Sequence, residues 1–226
     1  MELIPAGKID YEYFKRIKFD QQYPRTLRFP YGIDTMMRMK SAEYPQLSAV
    51  INTFQSWDMQ AKANSKGAAI FLLVYDHVSN KLKGTRPRQL TLAESIETYQ
   101  YVYDYMMQNF GKTDLVLGDI QKLVRGDDVR PAWGLPDVLT AAYTQPYKNG
   151  MRKVISGDAY ICLVRYPKNG GLPLIESVNT FGASMHPSSK HFKDQMQLFL
   201  DQKTKPMTLD KAEVLRHAER IYHPVK

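Results

Sequence analysis

The stretch MRKVISGDAYICLVRYPKNGGLPLIESVNTFGAS, residues 151–184, decides the fold class of this chain. Its apolar runs predict strands over residues 152–155, 160–166 and 174–181. The Asn-Gly-Gly segment at 169–171 separates the last two strands, and these residue types tolerate the positive φ that a hairpin turn needs. An Asn-Gly dipeptide at 149–150 marks another turn just before the first strand. Neighbouring strands are therefore predicted to pair antiparallel.

Upstream of this stretch the apolar residues follow the period of α-helices. Over residues 46–57 they recur every three or four positions, and residues 68–78 are apolar nearly all round, as in a helix buried on most sides. Thr91 and Glu94 form a capping box for a third helix, which ends at Gly111. The first half of the chain is therefore predicted to be mainly helical.

This change of period predicts an α+β fold with two segments. Residues 1–112 form the mainly helical segment, and residues 113–226 hold antiparallel strands with covering helices. Short helices are predicted over residues 136–143 and 191–200, and a last helix from Thr208.

The positive charge of the chain is not concentrated in one region of the sequence. Its 226 residues include 31 Lys and Arg against 23 Asp and Glu, a net charge of +8 that is spread evenly over the two halves. A nucleic-acid-binding protein concentrates such charge along one groove. The basic cluster Lys81, Lys83, Arg86 and Arg88 contains no acid, and a solvated loop is the preferred interpretation. A stand-alone non-catalytic binding module, for example for single-stranded nucleic acid, is kept as the alternative function.

Several classes of protein and site are not indicated by the sequence. No stretch approaches the ~20 apolar residues of a membrane span, and the N-terminal residues lack the apolar core of a signal peptide. A single Cys excludes an intramolecular disulfide, and Cys162 is either a small buried apolar residue, which is the preferred interpretation, or a lone thiol. No glycine spacing resembles a nucleotide-binding loop, so no cofactor is predicted.

No catalytic constellation stands out from the residues alone. Ser184 follows a predicted strand but lacks the second glycine of a nucleophile elbow, which favours a serine in a turn. His186, His191 and Asp194 lie close in sequence without the repeated spacing of a zinc site, so no metal is predicted. His191 and Asp194 are expected to hydrogen-bond within a polar turn.

Six short blocks of the sequence carry a resemblance to a known family. They are GDIQKL (118–123), GLPDVL (134–139), GDAY (157–160), NTFGAS (179–184), SKHFKDQ (189–195) and the tail from KPM (205–207) to YHP (222–224). In this order they resemble the C-terminal part of the β chain of penicillin acylase-type N-terminal-nucleophile hydrolases. This family includes penicillin, cephalosporin and acyl-homoserine-lactone acylases. Ala159 and Lys190 depart from its pattern, which usually has Ser and Pro there.

The resemblance implies that the chain is one piece of a larger domain with a four-layer αββα body. Enzymes of this family act through a Ser, Thr or Cys freed at the N-terminus of the β chain, whose amine serves as base. Because this sequence begins Met1-Glu2, the nucleophile and oxyanion residues are expected upstream, and no catalytic residue is assigned here. The matching positions are expected to be structural: Gly157, Asp158, Tyr160, Gly182, Ser184, His191, Asp194 and Gln195.

The resemblance also implies what the parent protein does. The parent is expected to hydrolyse the amide bond between an acyl chain and an amine, such as a β-lactam nucleus or homoserine lactone, without a metal or cofactor. This chain alone is expected to be inactive, to pack against the remainder of its own α and β chains, and to self-associate when isolated. Because family members work after export, the parent is expected to be periplasmic or secreted, although this chain carries no targeting signal.

Overall fold

The computed structural model describes residues 7, 9–23 and 31–222. They fold into two compact units, one comprising Arg16–Asp158 and the other Asp10–Lys15 together with the chain from Ala159 onwards. Helices and sheets occur in both units, which confirms the α+β fold class. The division into segments at residues 112 and 113 stays a prediction.

The elements are numbered in chain order. The first are α1 (Tyr11–Lys18), β1 (Tyr31–Gly32), α2 (Asp34–Arg38), α3 (Ser48–Gln55), α4 (Lys66–Lys81), β2 (Arg88–Gln89) and α5 (Leu92–Phe110). They are followed by α6 (Leu117–Ile120), β3 (Gln121–Arg125), β4 (Asp128–Pro131), β5 (Ala142–Pro146) and β6 (Arg152–Gly157). The last are β7 (Tyr160–Arg165), β8 (Leu174–Asn179), α7 (Met196–Leu200), β9 (Lys205–Met207) and α8 (Lys211–Arg216).

Helices α4 and α5 form where the sequence predicts them. The Ser65 hydroxyl caps α4 by accepting a hydrogen bond from the Ala68 N–H at 3.2 Å. The predicted capping box starts α5, with the Thr91 hydroxyl accepting from the Glu94 N–H at 3.2 Å and the Glu94 carboxylate accepting from the Thr91 N–H at 2.9 Å. Gly111 ends α5 with a left-handed φ of 71°.

The core of the first unit surrounds α4, which is buried along most of its length, as predicted. Phe71 of α4 stacks on Trp57, with ring centroids 5.1 Å apart, and lies 6.4 Å from the ring of Phe54. Gly67 makes this approach possible, because a Cβ there would lie 2.2 Å from the Trp57 Cβ. A single small residue thus decides how closely α4 packs against the chain that follows α3.

The four-stranded sheet of the first unit has the strand order β4-β3-β6-β5, and β1 pairs parallel with β2 in a separate two-stranded sheet. The predicted turn at 149–150 joins β5 and β6 in an antiparallel pair, with positive φ at Asn149 (53°) and Gly150 (70°). β3 also pairs antiparallel with β4 but parallel with β6. The hairpins therefore follow the sequence prediction, while one pairing between hairpins is parallel.

The helix predicted over residues 136–143 is wrong. This stretch forms turns and the start of β5. Gly134 (φ 89°) and Asp137 (φ 64°) have left-handed backbone conformations that a right-handed helix does not accommodate. The Ala142 N–H donates to the Leu135 carbonyl at 3.2 Å and closes the stretch as a loop.

The sheet of the second unit has the strand order β7-β8-β9, and both pairs are antiparallel. The predicted hairpin joins β7 to β8 through Gly170 (φ 78°) and Gly171 (φ 103°). Ile161 and Leu163 of β7 are buried, so Cys162 between them faces the other side of the sheet and is exposed. The prediction of a buried Cys162 is therefore wrong.

The helix predicted over residues 191–200 forms only in its second half, as α7. The preceding residues are turns. The Gln195 N–H donates to the Phe181 carbonyl at 2.8 Å, so this part of the backbone is bound to the end of β8 rather than to a preceding helical turn. The last helix likewise starts later than predicted, where the Asp210 carboxylate accepts from the Glu213 N–H at 2.8 Å.

Candidate functional site

The polar loop, residues 180–195 between β8 and α7, holds most of the candidate positions. Gly182 lets its two limbs approach each other. A Cβ at this position would lie 2.1 Å from the His191 carbonyl oxygen and 2.7 Å from Asp194 Oδ1. Glycine is thus needed here because of a close approach, not because of its φ.

Hydrogen bonds hold the two limbs of the polar loop together. The Ser184 N–H donates to the His191 carbonyl at 3.0 Å. The buried Gln195 side chain accepts from the Asn179 N–H at 2.9 Å through Oε1, while the Gln195 N–H binds the Phe181 carbonyl. Gln195 therefore ties the polar loop to the end of β8 through both its backbone and its side chain.

The Ser184 hydroxyl organises a turn within the polar loop. Its oxygen accepts a hydrogen bond from the His186 N–H at 3.1 Å. Ser189 makes the equivalent bond to the His191 N–H at 3.2 Å. Bonds of this short range between a side chain and the backbone are typical of serines in turns.

His191 contacts a carboxylate with each of its ring nitrogens. Nδ1 lies 2.7 Å from Asp194 Oδ2, which is the hydrogen bond that the sequence predicts, and Nε2 lies 3.2 Å from Glu219 Oε1. These bonds, the one to Asp194 first, raise the pKa of His191. Lys190 also binds Glu219 and is the main cause that lowers the pKa of this carboxyl group. With both nitrogens so engaged, His191 is not poised as a base for a hydroxyl group.

Gly157 and Asp158 lie at the end of β6 in the first unit. Gly157 has a φ of 139°, and a Cβ there would lie 2.1 Å from the Ala141 carbonyl oxygen. The same carbonyl accepts from the Asp158 N–H at 3.2 Å, and Asp158 Oδ2 lies 2.7 Å from Lys18 Nζ. The contacts of Gly157 and Asp158 therefore fix the path of the backbone immediately after β6.

Tyr160 starts β7 in the second unit. Its hydroxyl lies 3.7 Å from Met207 Sδ, and about half of the side chain is exposed. A hydrogen bond with Cys162 is the main cause that raises the pKa of Tyr160. The structure thus brings five of the eight candidate positions together in the polar loop and places Gly157, Asp158 and Tyr160 elsewhere.

Gln121 is a buried residue whose role the sequence analysis missed. Its amide nitrogen donates to the carbonyls of Trp133 at 3.0 Å and Gly134 at 2.8 Å. These bonds join the GDIQKL block to the chain that begins the GLPDVL block. Gln121 lies inside a matching block, but strand periodicity alone does not distinguish a buried glutamine from an exposed one.

Arg152 is a second side chain that the sequence analysis missed. It is 3% exposed, and its guanidinium group donates to Asp76 at 2.7 Å and to the Thr144 hydroxyl at 3.0 Å. An arginine at the start of a predicted strand carries no signal of burial. The ion pair links α4 to the sheet of the first unit.

Two members of the basic cluster of the first unit are paired with acids. Arg88 forms two hydrogen bonds with the Glu94 carboxylate, at 2.8 and 2.6 Å, and these bonds lower the pKa of Glu94 to about 2. Lys81 binds Glu97 on α5. Two of the four cations are therefore engaged with acids of this same unit.

The described ranges 7, 9–23 and 31–222 contain neither a metal-binding cluster nor a membrane-spanning helix. Within them, no group of three or more His, Cys, Asp or Glu side chains is placed to hold a metal ion. His223, in the tail block, lies outside these ranges. No helix in this part of the chain has the length and apolar character to cross a bilayer.

Comparison with known proteins defines the class of this chain. The sequence profile of the penicillin amidase family matches residues 1–216, so the chain belongs to this family. It is 33% identical over 90 residues to the acyl-homoserine lactone acylase PvdQ of Pseudomonas fluorescens. That match covers 38% of this chain and 11% of the relative. Both findings confirm the resemblance to penicillin acylase-type proteins that was stated from the sequence.

Proposed function

We propose that this chain is the C-terminal structural portion of an acylase that hydrolyses the amide bond between an acyl chain and an amine, such as a β-lactam nucleus or homoserine lactone. Family membership and the name of the relative support the reaction class. The observation that supports a structural role is the polar loop. There the His191 ring nitrogens face two carboxylates, and the Ser184 hydroxyl accepts from a backbone N–H.

Amide hydrolysis of this kind needs a nucleophile with a base beside it, and donors that stabilise the oxyanion. In our proposal the rest of the parent protein supplies all three. The residues of this chain then position strands of an αββα body. The contacts of Gly182 and Gln195 support this role, because they hold backbone against backbone rather than presenting a reactive group.

One face of the sheet in the second unit supports the proposal that another surface covers it. Tyr160, Val164 and Met207 are exposed on the side of β7 and β9 opposite the buried Ile161 and Leu163. Exposed apolar side chains on one face of a sheet favour contact with another surface. In our proposal the remainder of the parent's α and β chains covers it, and the isolated chain self-associates through it.

Self-association is tested by sedimentation of the purified chain. We expect the apparent mass to rise with concentration, and a Val164→Lys variant to reduce this rise, because an exposed charge opposes apolar contact. Asn169→Lys, on the exposed hairpin segment, adds the same single positive charge and is the control for a change of charge alone. A concentration-independent monomer would contradict this part of the proposal.

Inactivity of the isolated chain is tested directly. The purified chain is incubated with an N-acyl homoserine lactone and with a penicillin, and release of the free amine is measured. We expect no turnover above the rate in buffer. Turnover would overturn the structural role while leaving the reaction class intact.

The structural role is tested in a chimera. This chain replaces the homologous segment of the Pseudomonas fluorescens acylase, and hydrolysis of an acyl-homoserine lactone is measured. We expect activity in the chimera, and we expect His191→Ala to lower its melting temperature without altering its pH–rate profile. A selective loss of turnover in a fully folded His191→Ala chimera would show that His191 acts in catalysis.

The proposed export of the parent is tested with an antibody raised against this chain. In fractions of the source cells, we expect the signal in the periplasm or medium. A signal confined to the cytoplasm would contradict this localisation.

The alternative function is tested by titrating the purified chain with labelled single-stranded DNA. We expect no salt-dependent binding. Strong binding that weakens steeply with rising salt would favour the alternative function.

A further inference from the structure

His77 is a half-buried titratable side chain that the proposed function leaves without a role. It lies on α4, with 17% of its side chain exposed, and its ring stacks on Tyr101 of α5. The ring centroids are 4.2 Å apart and the planes differ by 22°. The Nε2 atom is buried and has no hydrogen-bond partner. A ring nitrogen in this situation is costly to protonate, because its added proton would need a partner.

The carboxylates around His77 already have cationic partners. On α4, Asp76 binds Arg152 of β6 at 2.7 Å. On α5, Glu97 binds Lys81 of α4, and its other oxygen lies 3.9 Å from His77 Nε2, beyond hydrogen-bond distance. The two acids and two bases near the ring therefore cancel, and a protonated His77 would add a further cation whose nearest carboxylate, Glu97, already binds Lys81.

We propose that His77 is an acid-sensitive contact, packed as a neutral imidazole between α4 and α5 at neutral pH and loosened when it becomes protonated. Burial is the largest cause that lowers the pKa of His77, and Lys81 acts in the same direction. Glu97 and Asp76 oppose this shift without overcoming it. The stack on Tyr101 and the orphaned Nε2 define the contact that protonation disturbs.

The sign of the pH effect follows from this arrangement. A histidine whose folded pKa is lowered is protonated more readily in the unfolded chain, whose pKa is about 6.5. The stabilising effect of the packed ring is therefore complete above this pH and is lost as the pH falls towards the folded pKa. Within that window the ratio of folded to unfolded protein falls by at most about tenfold per pH unit.

The first test is an NMR titration of the histidine side chains in the full chain. We expect His77 to titrate below pH 6.5, the ordinary value for histidine. Urea unfolding between pH 7.5 and 5.5 should show a loss of stability that His77→Phe abolishes, because Phe keeps the stack on Tyr101 and cannot be protonated. A His77 pKa at or above the ordinary value would overturn the proposal, as would equal pH slopes for the wild-type chain and His77→Phe.

Two surface variants keep the proposal testable if His77→Phe does not fold. Lys81→Gln removes a like charge and releases Glu97, so we expect the pKa of His77 to rise. Glu97→Gln removes the carboxylate that lies 3.9 Å from Nε2, so we expect the pKa of His77 to fall further. A His77 pKa that stays the same in both variants would contradict the charge balance on which the proposal rests.

Discussion

The two units of this chain differ in what they do with their large apolar side chains. In the first unit Phe54, Phe71 and Tyr99 are almost completely enclosed. In the second, Tyr160 and Val164 are exposed on one face of the sheet. Enclosed rings stabilise a unit through its own packing, whereas an exposed apolar face gains stability only when something covers it. The first unit thus has an enclosed aromatic core, whereas one face of the sheet in the second unit gains stability only if another surface covers it.

The largest effect should come from the enclosed rings. Phe71→Ala should lower the free energy of unfolding of the first unit by about 3–5 kcal/mol, because it leaves a cavity between Trp57 and Phe54. Urea unfolding followed by far-ultraviolet circular dichroism, to which both units contribute, measures this loss. In the second unit, Tyr166→Ala is the matched control, since Tyr166 is 77% exposed and should change stability by less than about 0.5 kcal/mol. Similar losses for both variants would break the comparison between the units.

A smaller loss of stability is expected from adding a side chain at Gly182, which lies close to the His191 carbonyl. Gly182→Ala should destabilise the polar loop by about 1–3 kcal/mol, because the new Cβ would force the His191 carbonyl to move. Hydrogen exchange of the Ser184 and Gln195 amides reports on this loop directly. Gly7→Ala is the control, because a Cβ at Gly7 meets nothing within 4 Å. Unchanged protection of both amides in Gly182→Ala would show that the polar loop accommodates the new methyl group without losing stability.

The smallest effect should come from the exposed ion pairs of the polar loop. Because its carboxylate partners raise the pKa of His191, its stabilising effect is complete below about pH 6.5 and is lost as the pH rises through the folded pKa. The melting temperature of His191→Gln should therefore fall below that of the wild-type chain at pH 6 and approach it at pH 9. His217→Gln controls for the loss of an exposed histidine. A difference that grows with rising pH would contradict the assigned direction.

The sequence predicted helices and turns correctly where the residues that stabilise them lie within a few positions of one another. The hydroxyls of Ser65 and Thr91 bind N–H groups three residues away, and Asn149 and Gly150 supply the φ values of their own turn. The false helix over residues 136–143 shows where this reasoning stops. Its apolar residues are compatible with a helix, but the left-handed backbone at Asp137 excludes one.

The polar contacts of the site show the same difference between residues that are close in sequence and residues that are far apart. The bond between His191 and Asp194 spans three residues, and the sequence predicted it. The partners of Gln121 lie twelve and thirteen residues away, and Asp76 lies seventy-six residues from Arg152. Such contacts depend on how strands and helices meet, which no local pattern contains. The structural roles of the matching positions remain proposals that the chimera tests.

The amino-acid sequence by itself determined the α+β class, the capped helices, the hairpin turns and the resemblance to the penicillin amidase family. These features depend on periodicity and on residues close to one another along the chain. Only the tertiary structure decided which polar side chains are buried, why Cys162 faces outward, and that His77 lies between two neutralised carboxylates. Burial and pairing are properties of surfaces brought together by folding, so residues far apart in sequence set them jointly.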